Sequence, residues 1–335
     1  MIKEAISKLV DKKNLTKDEA KEAMSEIMKG ETTPSQLSAF ITALRMKTEV
    51  VDEITGCAEA MRNASLKLDI NANTIVDTCG TGGDGTNTFN ISTAVALVAA
   101  GGELTVAKHG NRSASSQCGS ADVLEYLGVN INTKPEKAKE CIEKIGIGFL
   151  FAQIYHPAMK YAMPTRKELG IRTIFNILGP LTNPAGANVQ LLGVPSADLT
   201  EMIANVLKNL GTKASLVVHG EGFDEISTTD KTLICEIKEG KVKTYHIQPK
   251  DFGIPKTTLK ELQGGDVNKN VHIMMGVLKG KKGPHRDIVL LNAGALFYIA
   301  GKTNNIKEGI KIAEESIDSG NALNKLKDLI KLTNE

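Results

Sequence analysis

Residues 77–90 read DTCGTGGDGTNTFN and set Gly80, Gly82 and Gly85 at the spacing G-x-G-x-x-G, just after the run Thr74-Ile75-Val76. Glycines at this density let backbone N–H groups close on an anion. A helix starting just beyond adds unpaired donors and a positive dipole end. Two ligands share that outline, a dinucleotide and a simpler phosphate. A dinucleotide turn needs its third glycine inside a helix already begun. It also needs an acidic residue ending the next strand, about 20 residues on, for the ribose hydroxyls. Here Gly85 is followed by Thr86-Asn87-Thr88-Phe89-Asn90, which is turn and cap chemistry. The next apolar run ends in Lys108, and Glu103 lies at its wrong end. The loop therefore reads as a long phosphate cradle. Its helix is expected to begin near Ser92, capped by Asn90 or Ser92, with Thr88, Asn90, Ser92 and Thr93 supplying side-chain donors. Asp84 would repel phosphate and is expected to face sugar hydroxyls or a metal-bound water. The plain alternative is a sterically demanding turn with no ligand.

A second loop, residues 108–129, also follows a strand-like run and carries Lys108, His109, Asn111, Arg112, Ser113, Ser115, Ser116 and Ser120. Two cationic side chains and a second helix start, near Ser120, suit a doubly phosphorylated ligand. The alternative is a solvated polar loop, yet ligands of open α/β sheets bind at this carboxyl edge of the strands. A third group is Asp224-Glu225, in VVHGEGFDEIS just past Leu216-Val217-Val218. Mg²⁺ takes one or two carboxylates and completes its shell with water and substrate phosphate. Such a pair taken alone is more often a solvated turn, and both residues are expected to be exposed.

The elements that must position these groups change character near residue 70. Residues 1–66 read as helices. Thr16-x-x-Glu19 is a capping box, and Thr33-Pro34-Ser35-Gln36 is a second with proline at the first helical position. A third helix near Thr48 places Ile54, Cys57, Ala58 and Met61 on one face. From 70 onward, short β-branched runs alternate with helical patterns. Strands are expected at 74–78, 103–108, 129–131, 148–150, 189–193, 214–218, 231–236, 242–246 and 287–291. Helices are expected at 92–100, 120–127, 136–144 and 197–210, with 305–333 closing the chain as helix. The runs in 226–260 look like hairpin. The expected fold class is α/β: a small all-helical N-terminal domain (1–66, joined by the helical segment 164–180) and a larger α/β domain (70–335) with a mixed, mostly parallel central sheet.

Composition narrows the class. The chain has 335 residues, 41% apolar and 24% charged, with net charge +2. That balance gives no case for nucleic acid or membrane as partner. The N-terminus, MIKEAISKLVDKK, alternates charge with apolar residues, unlike a signal peptide, so a cytoplasmic location is expected. The five cysteines are scattered, with no C-x-x-C, against disulfides or a cysteine–zinc site. Cys79 and Cys118 read as bystanders in their loops. Gly301-Lys302-Thr303 echoes the end of a P-loop, but Leu296 stands where that motif needs glycine.

In combination, Asp77-Thr78-Cys79-Gly80-Thr81-Gly82-Gly83-Asp84, Lys108-His109-Gly110-Asn111-Arg112, Arg166 and Gly179-Pro180-Leu181-Thr182-Asn183-Pro184 resemble the anthranilate phosphoribosyltransferases of tryptophan biosynthesis. The resemblance spans nearly the whole chain. Pyrimidine nucleoside phosphorylases share a similar second loop, but their first loop carries K-H-S-T-G-G instead. The resemblance implies transfer of the phosphoribosyl group of 5-phosphoribosyl 1-pyrophosphate (PRPP) to anthranilate, with Mg²⁺ (two ions) and a homodimer formed through the helical part. It implies a PRPP site of Gly80, Gly83, Asp84, Thr88, Asn90, Ile91, Ser92, Thr93, Lys108, His109, Gly110, Asn111, Arg112, Ser113, Ala114, Ser115, Ser116 and Ser120. Gly80, Asn111 and Arg166 match anthranilate contacts, and Ser92, Asp224 and Glu225 match metal ligands. No nucleophile or base is assigned.

Arg166 lies in AMPTRKELGIRTIFNILGPL, where Pro164 and Thr165 are start signals and Gly179-Pro180 a stop. A single helix would put Arg166 in its first turn, against the macrodipole. That local cost points to a partner, with the aromatic carboxylate as candidate. Two rivals remain on the residues alone. A nucleoside phosphorylase would not need the Asp224-Glu225 pair. A silent nucleic-acid-binding relative would call for a broken glycine loop and an excess of basic residues.

Overall fold

The structure is a computed structural model, and it describes residues 1–113 and 117–335. Four helices open the chain: α1 (Ile2–Val10), α2 (Lys17–Lys29), α3 (Pro34–Lys47) and α4 (Val51–Ala64). Both expected capping boxes form, at Thr16 with Glu19 and at Thr33 with Gln36. Ile54, Cys57, Ala58 and Met61 are buried together on α4. Arg62, near the end of α4, donates to the Leu181 carbonyl at 2.7 Å and to the Leu210 carbonyl at 3.3 Å, which pins the helices to the rest of the chain.

Seven strands form one sheet: β1 (Val76–Gly80), β2 (Val106–Gly110), β3 (Ile147–Phe151), β4 (Val189–Gly193), β5 (Ala214–Gly220), β6 (Thr232–Lys238) and β7 (Lys241–Ile247), in the order β3-β2-β1-β4-β5-β6-β7. The pairs from β3 to β5 are parallel; β5–β6 and β6–β7 are antiparallel. β6 and β7 make the expected hairpin. Its two-residue turn, Glu239-Gly240, has φ of 52° and 73°, the left-handed pair that a type I′ turn requires. β3 is buried along its length, whereas β7 leaves Lys241 and Lys243 exposed at the free margin.

The remaining helices are α5 (Ile91–Gly101), α6 (Ser120–Tyr126), α7 (Pro135–Ile145), α8 (Ala152–Tyr155), α9 (Met163–Leu169), α10 (Phe175–Leu178), α11 (Asp198–Asn209), α12 (Val267–Leu278), α13 (Pro284–Ile299), α14 (Ile306–Asp318) and α15 (Asn321–Asn334). The sheet's period of two divides the core. Leu216 and Val218 of β5 face one apolar cluster with α5 and α13, while Val217 faces another with α11 and the N-terminal helices. Ala162, Ile174, Phe175, Leu178 and Leu181 also pack into that second cluster.

Two expected strands are not strands. Residues 287–291 lie inside α13, whose run of 16 residues begins with Pro284 at its first turn and is buried nearly all round. A helix buried on every side loses the amphipathic period, so its β-branched residues mimic a strand. Val129 and Ile131 are buried but follow Gly128 at φ 97° as a turn, and the Asn130 amide donates to Thr333 Oγ1 rather than to a strand. The single helix expected around Arg166 is also broken. Gly170 ends α9 at φ 60°, and α10 starts afresh at Phe175.

Candidate active site

Strand order places the site. β1 sends the chain to β2 and β3 on one side, and β4 and β5 lie on the other, so the carboxyl ends of β1 and β4 flank the point where the order reverses. Ligands of open α/β sheets bind in that crevice. The glycine loop begins there at Gly80, the register partner of Gly193. Gly82, Gly83 and Gly85 have φ of 63°, 81° and 74°, conformations that side chains resist. α5 follows with Asn90 at its N-cap, so the helix starts one residue before Ser92.

Lys108 is buried, and its ammonium donates to the Thr78 carbonyl at 2.7 Å and to Ser92 Oγ at 3.5 Å. A lysine inside the sheet therefore ties β1 to the start of α5 directly beneath the glycine loop. Around it, buried Thr78 Oγ1, Thr81 Oγ1, Asn90 Oδ1 and Thr93 Oγ1 have no hydrogen-bond partner among the described residues. Orphaned buried polar atoms are rare in folded proteins, and four around one loop mark a place shaped for a polar ligand.

Asp224 and Glu225 come into this group from the loop after β5. Both are half-buried, not the exposed pair the sequence suggests. The Gly82 amide donates to Asp224 Oδ2 at 2.9 Å. Burial and the neighbouring Asp84 push the Asp224 carboxyl up to about 7. Glu225 is also raised well above the carboxylate range, by burial first and Asp224 next, although it accepts from the Ser92 amide. Crowded, desolvated carboxylates of this kind favour a proton or a cation between them. Asp84 holds Thr86 Oγ1 at 2.7 Å and also meets Asp224. Among the described residues no three His, Cys, Asp or Glu side chains converge as a closed metal cage. The donor set suits a hard cation that keeps water and substrate oxygens, as Mg²⁺ does.

The second loop splits its residues. His109 turns away from Lys108 and packs against His156, ring centroids 5.1 Å apart, beside the Gly179 backbone. Burial lowers His109 to about 3 and His156 to about 4, so both rings are neutral. Asn111 and Arg112 are exposed. Arg112 spends its fork on Glu125 and Asp122 and lies over the Phe151 ring at 5.8 Å. Ser120 caps back onto the Asn111 carbonyl at 3.3 Å, and a Cβ on Gly110 would meet Ser120 Oγ at 2.3 Å. The Ser113 amide donates to Asp122. Ala114, Ser115 and Ser116 lie outside the described residues. Thr88 bridges to Gln263, and Ile91 is buried in the core.

Arg166 sits mid-way along α9, not in a first turn, because Gly170 closes the helix early; the macrodipole argument falls with that placement. Its guanidinium lies over the Phe175 ring at 5.0 Å, and among the described residues no ion pair includes it. Asp77 had no assigned role in the sequence. It is fully buried, accepts from the His109 amide at 3.3 Å and from Asn183 Nδ2 at 2.8 Å, and so braces β2 against the Gly179–Pro184 segment. Its position beside the glycine loop was the available signal.

Residues 72–323 match the glycosyl transferase family a/b domain, and residues 3–65 match the helical bundle domain of the same family. The anthranilate phosphoribosyltransferase of Acetivibrio thermocellus is 55% identical over 100% of this chain and 97% of its own length. The chain belongs to the anthranilate phosphoribosyltransferase family. The crystal structure of the Thermus thermophilus family member superposes with a TM-score of 0.94 at 44% identity, covering 99% of each chain. That of the Saccharomyces cerevisiae family member, in complex with PRPP and Mg, gives 0.91 at 32% identity, covering 99% of this chain and 98% of its own. Membership makes the chain a glycosyltransferase and settles the choice between the phosphate loops in favour of the phosphoribosyltransferases.

Proposed function

We propose that the chain transfers the phosphoribosyl group of PRPP to the amine of anthranilate, giving N-(5-phosphoribosyl)anthranilate and pyrophosphate, a step of tryptophan biosynthesis. The observation that carries this reading is the ring of orphaned polar atoms and raised carboxylates around Lys108 at the reversal of strand order. Attack at the anomeric carbon expels pyrophosphate, and charge builds on the departing oxygens. Lys108, the N–H groups of residues 83–85 and the positive dipole end of α5 would meet that charge, an oxyanion-type contribution. Asp84, Asp224, Glu225 and Ser92 would hold Mg²⁺, two ions in all, which neutralises diphosphate charge when bound. The anthranilate amine is unprotonated at neutral pH, so no strong base is required. Arg166 would grip the anthranilate carboxylate, with Gly80 and Asn111 as further anthranilate contacts.

The domain division at residues 66–70, with 164–180 joining the helical unit, is supported by the packing of Ile174, Phe175, Leu178 and Leu181 against α1–α4. A homodimer through the helical unit is supported by Val10 and Met46, which stand 68% and 80% exposed on α1 and α3. Among the described residues no helix is long and apolar enough to cross a membrane; a cytoplasmic location is part of the same proposal. Purified protein with PRPP and Mg²⁺ should consume anthranilate, followed by loss of its fluorescence. Unchanged fluorescence over long incubation would refute the assignment.

A further inference from the structure

A cavity of about 290 Å³ is lined in part by Arg172, the residue whose guanidinium also lies against Gly83 of the glycine loop. It lies between the α3–α4 turn, the segment before α10, and the start of α11. None of its lining residues is among those assigned to PRPP, anthranilate or metal. Glu49 and Thr173 line it, each 4% exposed, and among the described residues Glu49 Oε1 and Thr173 Oγ1 have no hydrogen-bond partner. Each such group is costly to bury. Thr48, next to Glu49, sits at φ 75°, which a β-branched residue adopts only under strain. Two unsatisfied polar atoms and one strained turn thus converge on one cavity.

The charges on its wall are mixed. Arg45 stands on the α3 side and Arg172 opposite, and among the described residues neither enters an ion pair. Leu199 and Met202 of α11 supply an apolar wall. A simple anion would satisfy the arginines and face the Glu49 carboxylate. A simple cation would satisfy Glu49 and face two guanidiniums. Asp198, exposed at the start of α11, and Asn176 and Ser196 also line it. A molecule carrying both charges close together meets the two arginines, the buried Glu49 and Thr173 at once.

We propose that this cavity binds a free α-amino acid with an apolar side chain, its carboxylate on Arg45 and Arg172, its ammonium on Glu49 and Thr173, and its side chain against Leu199 and Met202. The site would be felt at the phosphate cradle. A Cβ built on Gly83 would lie 1.1 Å from Arg172 Nη1, so the guanidinium occupies the space that this glycine leaves open. Any ligand that draws on Arg172 therefore acts on the loop that holds the diphosphate. Such coupling is reciprocal, and PRPP would alter the amino acid's affinity by the same factor.

Calorimetric titration of the full chain with L-leucine, L-phenylalanine and L-tryptophan, each at millimolar concentration, tests this. At least one should bind, while hydrocinnamate and phenethylamine, which carry one charge each, should not. Arg45→Ala and Glu49→Gln should each weaken binding about tenfold or more, the loss of one hydrogen bond to a charged group. Both should keep turnover near that of the unsubstituted chain. Arg45 is exposed, so its variant reports even where Glu49→Gln fails to fold. The bound amino acid should shift the KM for PRPP and leave that for anthranilate unchanged. The proposal is overturned by no binding of any of the three, by hydrocinnamate binding as tightly as phenylalanine, by full affinity in Arg45→Ala, or by a PRPP KM that does not respond.

Discussion

Gly80 and Gly193 face each other in register at the carboxyl ends of β1 and β4, and Asp224 fills the space both leave open. A Cβ on Gly193 would lie 1.6 Å from the Asp224 carbonyl oxygen, and one on Gly80 would lie 2.1 Å from Asp224 Oδ2. Gly193→Ala must therefore move backbone. We expect it to destabilise the fold by about 1–3 kcal/mol, as overpacking does, and to raise the KM for PRPP. Gly276→Ala, inside α12 with only side-chain atoms at 3.6 Å and beyond, should be neutral or stabilising. Urea unfolding of the two variants, with PRPP kinetics for the first, checks the contrast.

Replacing Asp224 by Asn and Glu225 by Gln keeps the shape of the acidic group and removes its charge. Turnover should fall by about 100-fold or more, the scale of losing an electrostatic contributor to the transition state. Added Mg²⁺ together with PRPP should raise the melting temperature of the unsubstituted chain and not that of the double variant. Near-normal activity at limiting Mg²⁺ would remove both residues from the site.

Arg166→Ala should raise the KM for anthranilate by roughly 30-fold or more, from the loss of about 2–5 kcal/mol for one partner of a desolvated charge pair, and should leave that for PRPP nearly unchanged. Arg166→Lys should recover part of the loss, since an ammonium cannot present the planar fork. An anthranilate KM within about twofold of the starting value, under 0.5 kcal/mol, would mean that the contact does not exist.

His109 and His156 titrate at about 3 and about 4 in the folded chain, against about 6.5 when unfolded. Below pH 6.5 the unfolded chain takes up their protons and the folded chain does not. Stability therefore falls as pH drops from about 6.5 towards 4, by up to about 1.4 kcal/mol per pH unit for each ring, and is insensitive to them above that range. Urea titrations at a series of pH values should show a shallower slope in His156→Asn. An unchanged slope would mean that His156 is not buried as a neutral ring.

Light scattering at micromolar concentration should give the mass of a dimer. Met46→Glu, in the most exposed apolar position of α3, should shift it towards a monomer with little change in stability. A monomer mass for the unsubstituted chain would rule out the assembly.

Local chemistry was legible in the sequence where the signal is local. The capping boxes at Thr16 and Thr33 and the tight glycine turn at Gly82, Gly83 and Gly85 are each read from a few adjacent residues. The break at Gly170 was also written there, as a glycine after Glu-Leu, but the apolar spacing on either side masked it. The burial of Asp224 and Glu225 was not legible. It depends on two glycines more than 30 and 140 residues earlier in the chain whose missing side chains make the room. His109 and Lys108 are adjacent in sequence, yet the strand sends them to opposite faces, Lys108 to Thr78 and Ser92 and His109 to His156. α13 misled for the opposite reason: full burial erased its periodicity.

The two margins of the sheet have unequal exposure, and this bears on behaviour in concentrated solution. Strands at a sheet margin offer unpaired N–H and C=O groups to any passing chain. β3 runs straight into α8 and is buried along its length, while β7 meets solvent with Lys241 and Lys243. Those ammonium groups repel a second copy laid alongside and keep the margin inert. Removing β7 would bare β6, whose Ile234, Cys235 and Ile237 are buried, and would turn that margin into a template for fibrous self-association.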